Sequence, residues 1–146
     1  RYGDAFIAHY PSYYMPKGLT LSEDEVGAVS VGTFERLFLP ELTELSEHYG
    51  GIGIHCCAHA HHQWEGFRDV PGLRLINLVQ PTERLREAYR YFAGVPQMHS
   101  WCGEGDPRAW PATYPQGSRV VIQVSAATRD EALRLSDALW TACGRD

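Results

Sequence analysis

Four short apolar runs, each followed by a helical or turn-rich stretch, constrain the fold of this chain more than any other feature of its 146 residues. The runs are "GIGIHC" (51–56), "LRLINLV" (73–79), "VPQMHSW" (95–101) and "RVVIQVS" (119–125). Each is too short for a buried helix and is bounded by Gly or Pro or by a polar turn, so each reads as a strand. Between the first two lies a short helix, "AHHQWEGFRDV", ended by Pro71-Gly72. After the second, Pro81-Thr82 opens "TERLREAYRYFAG", with Leu85, Ala88, Tyr89 and Phe92 on one face and Gly94 as its stop. After the last comes "TRDEALRLSDALWTACG". There Thr128 and Glu131 form a capping box, and Ala132, Leu135, Ala138, Leu139 and Ala142 form a stripe. Residues 102–117, rich in Gly and Pro, read as an irregular loop.

The first third is less regular. "FIAHY" suggests a strand, "PSYYMPKG" a loop, and "LTLSEDEVGAVS" an irregular strand that turns at its acids. "TFERLFLPELTELSEHYG" predicts a long helix with Phe34, Leu37, Phe38, Leu42, Leu45 and Tyr49 on one face. Pro40 removes one internal hydrogen bond and is expected to kink it unless it sits in the first turn.

Strands without polar alternation, separated by helices, imply parallel β-structure with helices packed outside. The expected fold class is α/β, with about five parallel strands and four helices in one domain, 1–146. A doubly wound sheet is one solution. The other is the C-terminal portion of a TIM (β/α)8 barrel, which as a whole needs ~250 residues. No GxGxxG or Walker A pattern follows any strand, so nucleotide binding has no support. The net charge is -5 and no Lys/Arg stripe exists, which argues against nucleic acid. Every apolar run is far shorter than the ~18 residues of a membrane span. With 44% apolar and 21% charged residues, a packed core is expected. The start at Arg1 suggests a piece of something longer, and adjacent Cys56 and Cys57 suggest a reducing cytoplasm rather than a disulfide framework.

The chemistry concentrates in "IGIHCCAHAHHQWEG" (52–66), which holds four histidines and two cysteines. In parallel α/β proteins, sites form at the C-terminal ends of strands. Alternation along the strand turns His55 and Cys57 one way and Cys56 the other. Imidazole and thiolate suit Zn2+, so His55 and Cys57 are candidate metal ligands. Nucleophilic catalysis by Cys57 and simple packing of the cysteines are the competing readings. His59, His61 and His62 are candidates for a third ligand or for its support. His99 and Cys102 end another strand on the same rim. Glu23, Asp24 and Glu25 offer a base or a ligand orienter, or a solvated acidic turn. Asp24 and His99 are the candidate catalytic residues. Tyr13, Tyr14 and Met15 suit either a pocket wall or loop packing, Asn77 and Gln80 end a strand, and Cys143 reads as structural.

The stretch from Phe34 to Pro81 resembles the second half of the uroporphyrinogen decarboxylase superfamily. The match lies in "S-x-x-x-F-E-x-x-x-L-P" (Ser30, Phe34, Glu35, Leu39, Pro40) and in the strand end "G-x-x-x-H-x-C" (Gly51, His55, Cys57). That superfamily has a TIM-barrel fold and includes decarboxylases and zinc-dependent methylcobalamin:thiol methyltransferases. The resemblance implies that His55 and Cys57 hold Zn2+, which binds an acceptor thiol as thiolate while a corrinoid, carried by a corrinoid protein as partner, donates the methyl group. Departures are Ala58 where the family has Gly, no Cys in "VVIQVSAAT" as a further ligand, and no Gly-His-Gly element near the last strand. Zinc then needs His99, Cys102, Asp24 or a residue outside the chain. The alternatives are a decarboxylase-like lyase acting on a tetrapyrrole or another carboxylated small molecule, and a non-catalytic half-barrel. A half-barrel exposes sheet edges, so it is expected to form a homo-oligomer or to require a missing N-terminal half.

Overall fold

The computed structural model describes residues 6–9, 13–16, 18–100 and 105–144. In chain order the strands are β1 (Phe6–His9), β2 (Tyr13–Pro16), β3 (Leu19–Ser22), β4 (Ile52–Cys56), β5 (Leu73–Leu78), β6 (Pro96–Ser100) and β7 (Arg119–Gln123). The helices are α1 (Val31–Thr33), α2 (Leu39–Tyr49), α3 (Trp64–Asp69), α4 (Thr82–Tyr91) and α5 (Arg129–Ala142). A π-helical segment, Phe34–Phe38, joins α1 to α2, so the helical elements amount to four rods.

Strands β3 to β7 pair in sequential order, and every pair is parallel. A doubly wound sheet reverses its order at a switch point; here no reversal occurs. The fold is α/β, with five parallel strands and four helical rods in the order of a barrel wall. The wall does not close, since among the described residues the sheet ends at β3 and β7. β1 and β2 form a separate antiparallel hairpin, with Phe6 opposite Pro16 and His9 opposite Tyr13. Residues 13–16, expected in a loop, are therefore a strand. Pro16 ends it, where a missing ladder donor costs least.

One face of the sheet and the helices enclose the core. Ile52, Ile54 and Cys56 of β4, Ile76 and Leu78 of β5, Phe34, Phe67 and Leu85, Ala88, Tyr89 and Phe92 form one buried cluster. Phe34 and Phe67 are fully buried and meet edge to face, with centroids 5.5 Å apart. Burying each contributes about 2–3 kcal/mol. Gly66 lets α3 lie directly on Phe34, because a Cβ there would meet the ring at 2.3 Å.

Two helix faces differ from their expected stripes. Leu37 and Tyr49 are 56% and 49% exposed, while Leu39 packs on the core and Ser46 is buried. The π turn just before Pro40 is the cause. It widens the turn by one residue where the proline lacks an N–H, so that Leu39 and Ser46 join Phe34 and Leu42 on the core side. In α5 only Leu139 of the predicted stripe is buried. Its N-terminus does carry the expected box. Thr128 Oγ1 accepts from the Glu131 N–H at 3.2 Å, and Glu131 Oε2 accepts from the Ala127 N–H at 3.0 Å, one residue earlier than the simple pattern. Among the described residues no helix is long and apolar enough to cross a membrane.

Candidate metal centre

Parallel pairing carries the β3 end to the β4 end. Ser22 lies beside His55, and the Glu23 N–H donates to the His55 carbonyl at 2.8 Å. The chain then turns sharply, through Asp24 into a 3-10 turn at Glu25–Ala28. This turn brings the Asp24 carboxylate over the residues that follow β4. Asp24 Oδ1 accepts from the Cys57 N–H at 2.6 Å. One ligand atom each from Asp24, His55 and Cys57 lies within 4.8 Å of the others. Asp24 and His55 are half-buried, and Cys57 is exposed.

The strand alternation explains the His55 orientation. Ile54 and Cys56 face the helices and are fully buried, so His55 faces the other side of the sheet. Asn77 is its register partner on β5 and is buried. His55 Nδ1 lies 2.5 Å from Asn77 Oδ1. With the amide oxygen toward the ring, Nδ1 carries the proton and donates it. The lone pair then sits on Nε2, as a metal-ligating imidazole requires.

The electrostatics are mutually consistent. The Cys57 N–H holds the Asp24 carboxyl below the usual carboxylate range. The hydrogen bond to Asp24 in turn pushes the Cys57 thiol up. Burial, followed by the charges of Glu25, Glu41 and Asp24, pushes Glu23 up to about 7. Burial pushes Cys56 up to about 11, in keeping with a packed, inert thiol.

His99 does not join this group. Gln97 is the register partner of Ile76, which faces the helices, so His99, two residues on, faces the helices too. It is 8% exposed and stacks on Trp110 with centroids 3.8 Å apart. Its Nδ1 shares a 2.9 Å hydrogen bond with the Tyr114 hydroxyl, and Tyr89 lies 6.2 Å away, ring to ring. Burial holds its pKa below the ordinary histidine value. The catalytic role expected for His99 has no partner in the Asp24 group, and the residue packs as a buried polar group.

The remaining candidates sort as follows. His62 Nε2 lies 3.0 Å from the Val29 carbonyl, and His61 meets the Trp64 ring with centroids 4.4 Å apart. His59, His61 and His62 line a cavity of about 330 Å3 with Trp64, Gln80 and Arg84, beginning at Ala58 next to Cys57. Gln80 Nε2 donates to the Ala58 carbonyl at 2.8 Å, bracing that loop. Cys143 caps α5 and is exposed, not buried. Cys102 and the side chains of Tyr13, Tyr14 and Met15 lie outside the described residues. Asn77 ends a strand in the sequence; its contact with His55 follows only from the β4–β5 register.

Three donors of different softness fit a borderline cation. Zinc takes carboxylate, imidazole and thiolate, and a set of three protein ligands leaves the fourth position of a catalytic site open. No family model, curated protein or solved structure matches the chain.

Proposed function

We propose that Asp24, His55 and Cys57 form a catalytic zinc site, and that the chain is part of an enzyme of uroporphyrinogen-decarboxylase-superfamily type that transfers a methyl group from a corrinoid to a thiol. The observation that supports this reading is the convergence of the three ligand atoms within 4.8 Å. Asp24 answers the departure noted in the sequence, a family-like site lacking its last cysteine. When bound, zinc makes a thiol at its open position a thiolate at neutral pH, where a free thiol of pKa about 8.5 is mostly protonated. Asn77 holds His55 in the ligating tautomer. Asp24 holds the Cys57 backbone and contributes the hard donor. The resemblance supplies the corrinoid and the thiol, and it rests on the order of the motifs.

Metal analysis of the purified chain tests the site, with an expected content of about one zinc per chain. Methyl transfer from methylcobalamin to a small thiol, followed by loss of the methylcobalamin absorbance, tests the activity. A folded chain that retains no zinc after incubation with it overturns the proposal. The second reading, a metal-free decarboxylase-like lyase, is favoured by Glu23, whose pKa of about 7 suits a proton donor and acceptor at neutral pH. Activity on a carboxylated substrate that survives chelation would select it.

A further inference from the structure

A metal site made from two loops is only as good as the distance between them. Asp24 comes from the β3–α1 loop, and His55 and Cys57 from the end of β4. Something must hold the first loop against the second when no ion does. Two features lie at that junction, and neither is a metal ligand.

The first is Gln63, which is 1% exposed. Its Nε2 donates to the Val26 carbonyl at 3.1 Å and to the Val29 carbonyl at 2.9 Å. Both carbonyls belong to the turn that follows Asp24. Its Oε1 is buried without a partner among the described residues. The amide thus spends both donors on one loop at the expense of its own acceptor. His62 Nε2, facing the Val29 carbonyl at 3.0 Å, adds a second tie from the same segment.

The second is Gly27, in the middle of that turn. A Cβ there would meet the Ala58 Cβ at 2.7 Å. Gly27 is not among the positive-φ glycines, so space rather than backbone conformation calls for glycine. The loops touch here with no room for a methyl group on both sides. Ala58 follows Cys57 directly, so the contact lies next to a candidate ligand.

We propose that Gln63 and the Gly27–Ala58 contact are positioning elements that set the separation of the Asp24 carboxylate from the His55–Cys57 pair. This rests on the metal reading above and deepens it. Neither residue touches the ligand atoms; they act through the turn that carries Asp24. A methyl at Gly27 would push the turn that carries Asp24 away from the Ala58 loop.

The test measures Zn2+ affinity and the visible spectrum of bound Co2+ for four proteins: the parent, Gln63→Met, Gly27→Ala, and the double variant Gly27→Ala/Ala58→Gly. Circular dichroism checks that each is folded. Gln63→Met keeps volume and removes both donors, and Gly27→Ala adds the colliding methyl. Each is expected to weaken Zn2+ binding by about 10–100-fold and to alter the Co2+ ligand-field bands, as loss of support around a metal ligand does. The double variant exchanges the methyl across the contact and is expected to recover parental affinity and spectrum. Parental affinity and spectrum in both single variants overturn the inference while leaving the metal site standing. So does a double variant no better than Gly27→Ala. A parent that binds neither metal overturns the site and the inference together.

Discussion

Two histidines end neighbouring parts of one sheet and meet opposite fates. His55, at the end of β4, turns away from the helices and lies among a carboxylate, a thiol and an amide. His99, at the end of β6, turns into the helices and lies under Trp110 beside Tyr114. Both have a polar group at Nδ1, at 2.5 and 2.9 Å. The difference lies in what faces the other edge of the ring. Around His55 the neighbours are donors for a cation; around His99 they are aromatic faces. The same residue type at the same kind of strand end is a ligand candidate in one place and core in the other, and the parity of the strand decides which.

The largest effect should come from exchanging the two losses. His55→Ala or Cys57→Ser removes one of three ligands and should abolish zinc retention; Cys57→Ser, at an exposed position, should change the stability of the metal-free chain by less than about 1 kcal/mol. His99→Ala should do the reverse. It leaves Trp110 unstacked and the Tyr114 hydroxyl without its partner, and should lower stability by about 1–3 kcal/mol with zinc content unchanged. Metal content and urea unfolding, measured on each variant, check the pair. Zinc lost from His99→Ala and kept by His55→Ala would invert the comparison.

A smaller effect is expected at Asn77, which makes His55 what it is. Asn77→Leu removes the acceptor that holds the proton on Nδ1 and should weaken zinc binding by about 10–100-fold. Asn77→Asp keeps an acceptor and should restore most of it, since a carboxylate serves the same role in many histidine–zinc sites. Competition with a chromophoric chelator gives the affinities. If Asn77→Leu binds as tightly as the parent, the ring needs no orienter.

These residues also mark how far the sequence could be read. Alternating apolar runs and helices made the parallel sheet legible, because burial on both faces leaves a pattern within each strand. Alternation within β4 likewise separated His55 and Cys57 from Cys56. Asp24 was one acid among three, since nothing local says which of Glu23, Asp24 and Glu25 will lie over a strand end some thirty residues on; the β3–β4 register decides it. The face of His99 is not legible in the sequence for a similar reason. The pattern within β6 shows that Gln97 and His99 share a side, but only the pairing of Gln97 with Ile76 shows which side. In the rod from Val31 to Tyr49 the backbone itself departs from the pattern. A 3.6-residue period does not hold across the π turn before Pro40, so Leu37 and Tyr49 lie outside the buried face.

The smallest effect concerns protons at His99. Burial holds the His99 pKa below its ordinary value of 6.5. The unfolded chain therefore binds a proton at this residue before the folded chain does. Wherever the unfolded state holds more protons, stability rises with pH. His99 thus contributes stability that is fully present above about pH 6.5 and is lost as the pH falls from there toward its folded value. The slope for one group cannot exceed about 1.4 kcal/mol per pH unit. His99→Phe keeps a ring against Trp110 and removes the titration. The unfolding free energy of the parent minus that of this variant should be flat above pH 7 and fall below about pH 6.5. Carboxylates such as Asp24, whose lowered pKa also makes the protein weaken in acid, contribute equally to both proteins and cancel in the difference. Parallel curves for parent and variant would mean that His99 protonates as easily in the folded chain as in the unfolded one. The aromatic box around His99 would then be open to water.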